Sequence, residues 1–262
     1  MTPALLEVSL QESSVEREWA ELLEQRVLVA LDDGDVAGFI HLGHQAANKW
    51  SNAYGVIRFL AYRRGQLHVG DALLEAAETW MGEAGLKQSK VMPQPWRYPF
   101  CGFPHSYLSD HLDHIQALLR YRGFIMSGGE VFLEWPDMQP SKVADSSGCK
   151  YELHIEDLPG AGRLPRLRVR TLHEEQQIGA CLLDSGAESS TADEAHDFAF
   201  CNSLEVDGSQ QGRGLGRFLL IHAMYLARER GYRHGAISTA YDNDRAFLFL
   251  QQSRLPRRGL DL

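Results

Sequence analysis

Three glycines at alternate positions, Gly212, Gly214 and Gly216, sit where a strand-like run gives way to an amphipathic stretch. The segment 203–220 reads SLEVDGSQQGRGLGRFLL. Glycine removes side chains where backbone must turn tightly and where N–H groups must come close to a ligand. A helix opening directly behind such a run adds unpaired N–H donors and the positive end of its dipole, which suits an anionic phosphate. Arg213 and Arg217 add positive charge at the rim. Two nucleotide signatures fail here. A P-loop needs G-x-x-x-x-G-K-[ST], and no Lys-Ser or Lys-Thr follows the run. A dinucleotide fingerprint needs G-x-G-x-x-G, and Gly216 comes one residue too early for it. The spacing present is Gln211-x-x-Gly214-x-Gly216, preceded by a run that ends in Val206.

Proton chemistry has fewer candidates. Glu205 is the one carboxylate between Phe198 and Val206, and strand alternation turns it away from Leu204 and Val206. Asp197, Tyr241 and Asp242 are expected near the same end of the sheet, with Tyr241 as a substitute acid. His105, His111 and His114, with Asp110 and Asp113, form a histidine-rich cluster. Without cysteines or an H-E-x-x-H context it reads as a loop and a helix start capped by Ser109 and Asp110, and no metal is expected. Trp96, Tyr98, Phe100 and Phe103 in the same insert fit a domain interface, with a substrate pocket as the alternative. His41 and His44 ask for no special role. No G-x-S-x-G or Cys-His arrangement suggests a covalent nucleophile.

The elements that must position these residues come in two similar sets. In the first half, 27–31 and 36–42 read as a hairpin turning at Asp32-Asp33-Gly34, and 54–61 as a further strand. Over 70–84, Leu73, Leu74, Ala77, Trp80 and Met81 mark one helix face. In the second half, 178–183 and 198–206 read as strands and 216–230 as a helix. A single offset of 146 residues pairs Leu73 with Leu219, Leu74 with Leu220, Ala77 with Ala223, Gly85 with Gly231 and Val91 with Ile237. A shared offset across a helix face, its glycine stop and the next strand points to an internal duplication. The polar stretch 139–148 (QPSKVADSSG) cannot bury a face and reads as the linker between the halves.

Composition narrows the function classes. At 262 residues, two domains are the simplest division. With 26 Lys+Arg against 35 Asp+Glu, a net charge of −9 disfavours nucleic acid and would concentrate cationic small molecules such as amines. Apolar runs such as 218–221 fall far short of the ~20 residues of a membrane span. The opening MTPALLEVSLQESS lacks the basic flank and apolar core of a signal peptide. Cys101, Cys149, Cys181 and Cys201 form no C-x-x-C pair, which fits inert thiols in a reducing cytoplasm. A homodimer is compatible with these features.

The segment Gln211-x-x-Gly214-x-Gly216, with the strand behind it, resembles the central motif of the GCN5-related N-acetyltransferase family. Downstream, the strand 236–239 and the helix opening at Asn243-x-x-Ala246 extend the resemblance. More weakly, 115–124 (IQALLRYRGF) is similar to the family's last helix and its Gly-Phe end. The resemblance implies an α/β protein of two tandem acetyltransferase-like domains. Each would hold a mixed, mostly antiparallel sheet with a central parallel splay, flanked by helices. The expected division is 1–138, a linker at 139–148, and 149–262. The resemblance further implies acetyl-CoA as acyl donor, its pyrophosphate on the N–H groups of Gly212, Arg213, Gly214, Leu215, Gly216 and Arg217. Gln211, Asn243 and Ala246 would complete the binding set, and the pantetheine arm would pair along Leu204–Val206. A primary amine of a small molecule or peptide would then attack directly.

Departures from the family pattern are equally visible. Under the offset, Gly214 falls on His68 and Gln211 on Gly65, so the first domain's motif is degenerate. In the second domain, Leu250 stands where the family often has a tyrosine acid, and Arg254-Leu255 replaces Gly-Phe. Too little chain follows for a closing hairpin, so that strand is missing or comes from elsewhere, with 150–155 as the candidate. The alternative to an enzyme is a catalytically inactive acyl-CoA-binding or scaffolding protein.

Overall fold

The computed structural model describes residues 22–49, 51–93, 96, 98, 108–142, 144–145, 147–190, 192–252 and 257–261. Among these, 22–98 and 108–127 form one compact unit and 128–261 a second. In the first, β1 (Leu22–Asp32) and β2 (Asp35–Gln45) make an antiparallel hairpin. Its turn holds Asp33 and Gly34 at φ 51° and 89°, the left-handed pair whose twist matches the strands it joins. β3 (Tyr54–Tyr62) adds antiparallel to β2, α1 (Leu67–Glu83) crosses over, and β4 (Ser89–Val91) returns parallel to β3. α2 (Asp113–Tyr121) completes the unit. The helix is held by the stripe expected from its periodicity. Leu73, Leu74, Ala77 and Met81 are at most 5% exposed and join Ile40, Leu42, Ile57 and Leu60 in one core. Burying a side chain of this size contributes about 1.5–3 kcal/mol.

The second unit repeats this order. β7 (Arg166–His173), β8 (Gln176–Ser185) and β9 (Phe198–Val206) are successively antiparallel, α3 (Leu215–Glu229) crosses over, and β10 (His234–Ala240) runs parallel to β9. The offset pairs are structural equivalents: Leu219, Leu220 and Ala223 are fully buried, as Leu74 and Ala77 are. Each unit is thus a mixed, mostly antiparallel sheet around one parallel pair. Both also carry a β-bulge at the same place. The β2–β3 register slips between His41 and Leu42, leaving Arg58 as the extra residue. The β8–β9 register slips between Leu182 and Leu183, leaving Asn202.

Two expectations need correction. β5 (Glu130–Trp135), assigned on sequence to the first domain, lies in the second sheet, whose order is β11-β5-β10-β9-β8-β7-β6. It pairs antiparallel with β10 from Trp135↔Gly235 to Glu130↔Ala240, and with β11 (Arg257–Asp261) on its other side. The closing strand therefore comes from upstream, and not from 150–155. That segment leads into β6 (Glu152–Leu158), which sits at the opposite edge against β7. The reason is registry: β5 offers an apolar face of Val131 and Leu133, 5% and 0% exposed, that extends the core over β10. The described residues of the polar stretch 139–148 have no regular structure and lie against the second unit: Ser147 is buried, and next to it the Cys149 thiol donates to Gln210 Oε1 at 3.1 Å.

Candidate functional site

The site begins where two parallel strands stop touching. β9 and β10 pair from Phe198↔His234 to Cys201↔Ile237 and no further. Beyond that point β9 keeps only β8, and β10 keeps only β5, among the described residues. A gap opens between 203–206 on one strand and 238–240 on the other. The bulge at Asn202 falls at the point of divergence, and bulges bend and over-twist the strand that carries them. Leu204 and Val206 pack toward the α3 core, and Glu205 is exposed on the other face.

The turn from β9 into α3 is held by side chains. Asp207 accepts from the Ser209 N–H at 2.9 Å and its hydroxyl at 2.5 Å, and these bonds hold its carboxyl below the usual range. Gln211 Nε2 donates to the Val206 carbonyl at 3.0 Å, tying the loop back to the strand end. Gly212 and Gly214 have φ 77° and 91°, and Gly214 caps α3 in the left-handed conformation. A Cβ on Gly212 would meet nothing within 4 Å, so neighbouring atoms do not demand glycine there; the backbone angle does. Gly216 rests against Val206 with ordinary spacing, 3.5 Å from a built Cβ.

Phe218 N–H meets the Gly214 carbonyl at 3.0 Å. The N–H groups of Leu215, Gly216 and Arg217 precede it, at the positive end of the helix. Leu215 is 1% exposed and anchors this first turn. Arg213 and Arg217 are exposed, with Arg213 Nη1 on Gln210 Oε1 at 2.9 Å. Loop, helix start and gap together fit a long ligand with a phosphate at one end and an extended arm.

At the far side of the gap, Asn243 Oδ1 accepts from the Ala246 N–H at 3.1 Å and caps α4 (Asp244–Gln252). Tyr241 follows β10, is 39% exposed, and donates its backbone N–H to Gly129. Because β9 and β10 are parallel, Glu205 and Tyr241 stand at the same, C-terminal end of the splay. Asp197, expected beside them, precedes β9 and lies at the opposite end, 3.6 Å from Arg163. Leu250 is 2% exposed within the α3 core, so that position presents no hydroxyl to the gap. Arg254 and Leu255 lie outside the described residues.

The first unit has the strands without the loop. Only four residues, 63–66, join β3 to α1, where eight, 207–214, join β9 to α3. Gln66 caps α1 through no side-chain bond, and His68 is exposed in its first turn. The described aromatics of the insert, Trp96 and Tyr98, pack within this unit. Trp96 packs with Leu22, Tyr54 and Val56, and Tyr98 is 1% exposed. Phe100, Phe103 and His105 lie outside the described residues. Nor is His41 an ordinary strand residue. It is 2% exposed, hydrogen-bonded through Nδ1 to the Tyr98 hydroxyl and through Nε2 to Gln25 Oε1 at 3.1 Å. Burial, and then the Arg58 guanidinium, push its pKa down to about 4. Asp113 pairs with Arg64 at 2.6 Å, Ser109 caps the turn at His111, and no metal-type cluster occurs among the described residues.

Residues 135–253 match the family model described as the acetyltransferase (GNAT) family. That segment of the second unit is a GNAT-family domain. Three solved structures share the fold over both units. The glucosamine N-acetyltransferase region of a fungal multi-domain GH3 β-N-acetylglucosaminidase is 16% identical, with a TM-score of 0.62 over 98% of this chain. This chain spans 36% of that longer protein. A tandem GNAT protein from the clavulanic acid biosynthesis pathway is 14% identical, with a TM-score of 0.59, covering 90% of this chain and 81% of its own. A GCN5-related N-acetyltransferase from Sphaerobacter thermophilus is 15% identical, with a TM-score of 0.56, covering 95% and 80%. No curated protein matches by sequence. No helix among the described residues is long and apolar enough to cross a membrane.

Proposed function

We propose that the second unit binds acetyl-CoA and transfers its acetyl group directly to a primary amine of a small molecule or peptide. The observation that carries this reading is the coincidence of a left-handed glycine loop, an open helix start and a strand splay in one place. Backbone N–H groups from Gly212 to Arg217 receive the pyrophosphate, with Arg213 and Arg217 at its rim. The unpaired edge 204–206 binds the pantetheine arm as an added strand. A backbone N–H of that edge polarises the thioester carbonyl. When acetyl-CoA is bound, the thioester supplies the activated acyl group. The amine nitrogen forms the new C–N bond as the C–S bond breaks. Glu205, directly or through one water, removes the amine proton, and Tyr241 protonates the leaving thiolate. The acidic net charge favours cationic acceptors. Asn243 and Ala246 fix the helix start that bounds the gap.

The first unit, with half the loop length and no left-handed glycine at its helix cap, is assigned no acyl-CoA site. Calorimetric titration with acetyl-CoA tests both statements. One site per chain, with turnover on a panel of primary amines, is the expected result. Two sites would overturn the assignment of the first unit, and no binding at millimolar acetyl-CoA would overturn the function. One site without turnover on any amine would leave the inactive acyl-CoA-binding protein.

A further inference from the structure

The splay needs a reason to stay open. Parallel pairing continued by two residues would set Asn202 against Ser238 and Ser203 against Thr239, giving each strand ladder bonds it now lacks. What opposes this is a side-chain network running the other way. Asn202 Nδ2 donates to Asp184 Oδ2 at 2.7 Å, and Arg166 Nε donates to Asp184 Oδ1 at 2.7 Å. The three residues belong to β9, β8 and β7, so the bulged residue is drawn across the sheet, away from β10. Asp184 is only 7% exposed, and each of its oxygens holds one of these donors. A carboxylate buried this way keeps its partners, because releasing one leaves a desolvated charge short of a bond.

The duplicated unit supports the same logic with different chemistry. Its bulged residue, Arg58, is 2% exposed; Nε donates to the Trp96 carbonyl at 2.8 Å, and the guanidinium lies 4.5 Å from the centre of the Tyr98 ring. In both units the extra residue is held by polar contacts of its side chain, in the first unit also to Gln25 Oε1 on β1 at 3.4 Å.

We propose that Asn202, held by Asp184 and Arg166, is a positioning residue that keeps the β9–β10 gap open for the acyl-CoA arm. This rests on the acetyl-CoA reading above. Without the Asn202–Asp184 bond, β9 relaxes toward regular pairing, and the binding-competent form becomes a minor one. Apparent affinity then falls by the fraction still open.

The test is Asn202→Leu, which keeps the volume and removes the donor, with acetyl-CoA affinity by calorimetry and steady-state kinetics on the full chain. Losing a hydrogen bond to a charged group shifts an equilibrium by roughly ten- to hundredfold. KM and Kd for acetyl-CoA should therefore rise severalfold and by up to about a hundredfold, while kcat at saturation stays within about threefold. Asn202→Asp should weaken binding likewise, by setting a second carboxylate against Asp184. The exchange variant Asn202→Asp/Asp184→Asn restores a donor–acceptor pair in the same volume. It should return Kd to within about threefold of the wild type, a rescue that general destabilisation would not produce. If Asn202→Leu does not fold, the exchange pair decides. A folded Asn202→Leu chain with wild-type Kd, or a folded exchange variant without rescue, overturns the proposal. Failure of the wild type to bind acetyl-CoA would refute the cofactor reading, and this proposal with it.

Discussion

Replacing Gly214 separates backbone strain from ligand repulsion. Its φ of 91° is forced by its place as the left-handed cap of α3, so any side chain there is strained. For an alanine that strain is about 1–2 kcal/mol, and in a unit of this size it lowers Tm by about 2–8 °C. Gly214→Glu carries the same strain, yet its carboxylate sits at the positive end of the helix and recovers about 0.3–1 kcal/mol. The glutamate variant should therefore be no less stable than the alanine variant. Binding should separate them sharply. A carboxylate ~5 Å from a phosphate charge costs about 0.8–3 kcal/mol at an effective dielectric between water and protein surface. Two phosphate charges bring this to about 2–6 kcal/mol, a loss of acetyl-CoA affinity of at least about thirtyfold. Thermal melting and calorimetry on the two variants provide the comparison. A Gly214→Glu chain that melts with Gly214→Ala and still binds acetyl-CoA within about threefold of the wild type would refute the phosphate loop.

Two further outcomes follow from the side chains described. Glu205→Gln should lower kcat roughly 100-fold and leave KM for acetyl-CoA unchanged, because it removes a proton acceptor and no cofactor contact; an unaltered kcat would exclude it as the base. His41 has a folded pKa near 4 against 6.5 when unfolded, so between those values the unfolded chain binds the extra proton and stability falls as pH falls. The loss is about 3 kcal/mol across that window, and urea unfolding of His41→Gln from pH 7 to 4.5 should show a shallower decline than the wild type. Parallel declines would show that this histidine is not the titrating group.

Much of the local architecture was legible because it depends on near neighbours. The α1 and α3 stripes, the turn at Asp33-Gly34 and the Asn243 cap each follow from residues within a few positions of one another. The left-handed glycine loop was equally visible, since glycine spacing and the helix behind it are contiguous. What could not be seen was pairing between distant segments. Nothing local marks Glu130–Trp135 as the strand that covers β10; that choice is made by which apolar face best completes a core more than 100 residues away. The placement of Asp197 failed for a related reason: a parallel β9–β10 pair sends strand starts and strand ends to opposite edges.

The polar residues show the same division. Asn202 in FAFCNSLEV, Arg58 in YGVIRFLAY and His41 in DVAGFIHLGHQ each interrupt an apolar strand, and the interruption is the signal a sequence can offer. Their partners, Asp184, Trp96 and Tyr98, lie 18, 38 and 57 positions away. By itself the sequence determined the duplication, the helix faces and the glycine loop that opens α3, because periodicity and turn chemistry act over a few bonds. Tertiary structure alone decided where the strands part and what holds them apart. A bulge is defined only against its partner strand, and a buried charge is tolerable only where the folded chain delivers its donors.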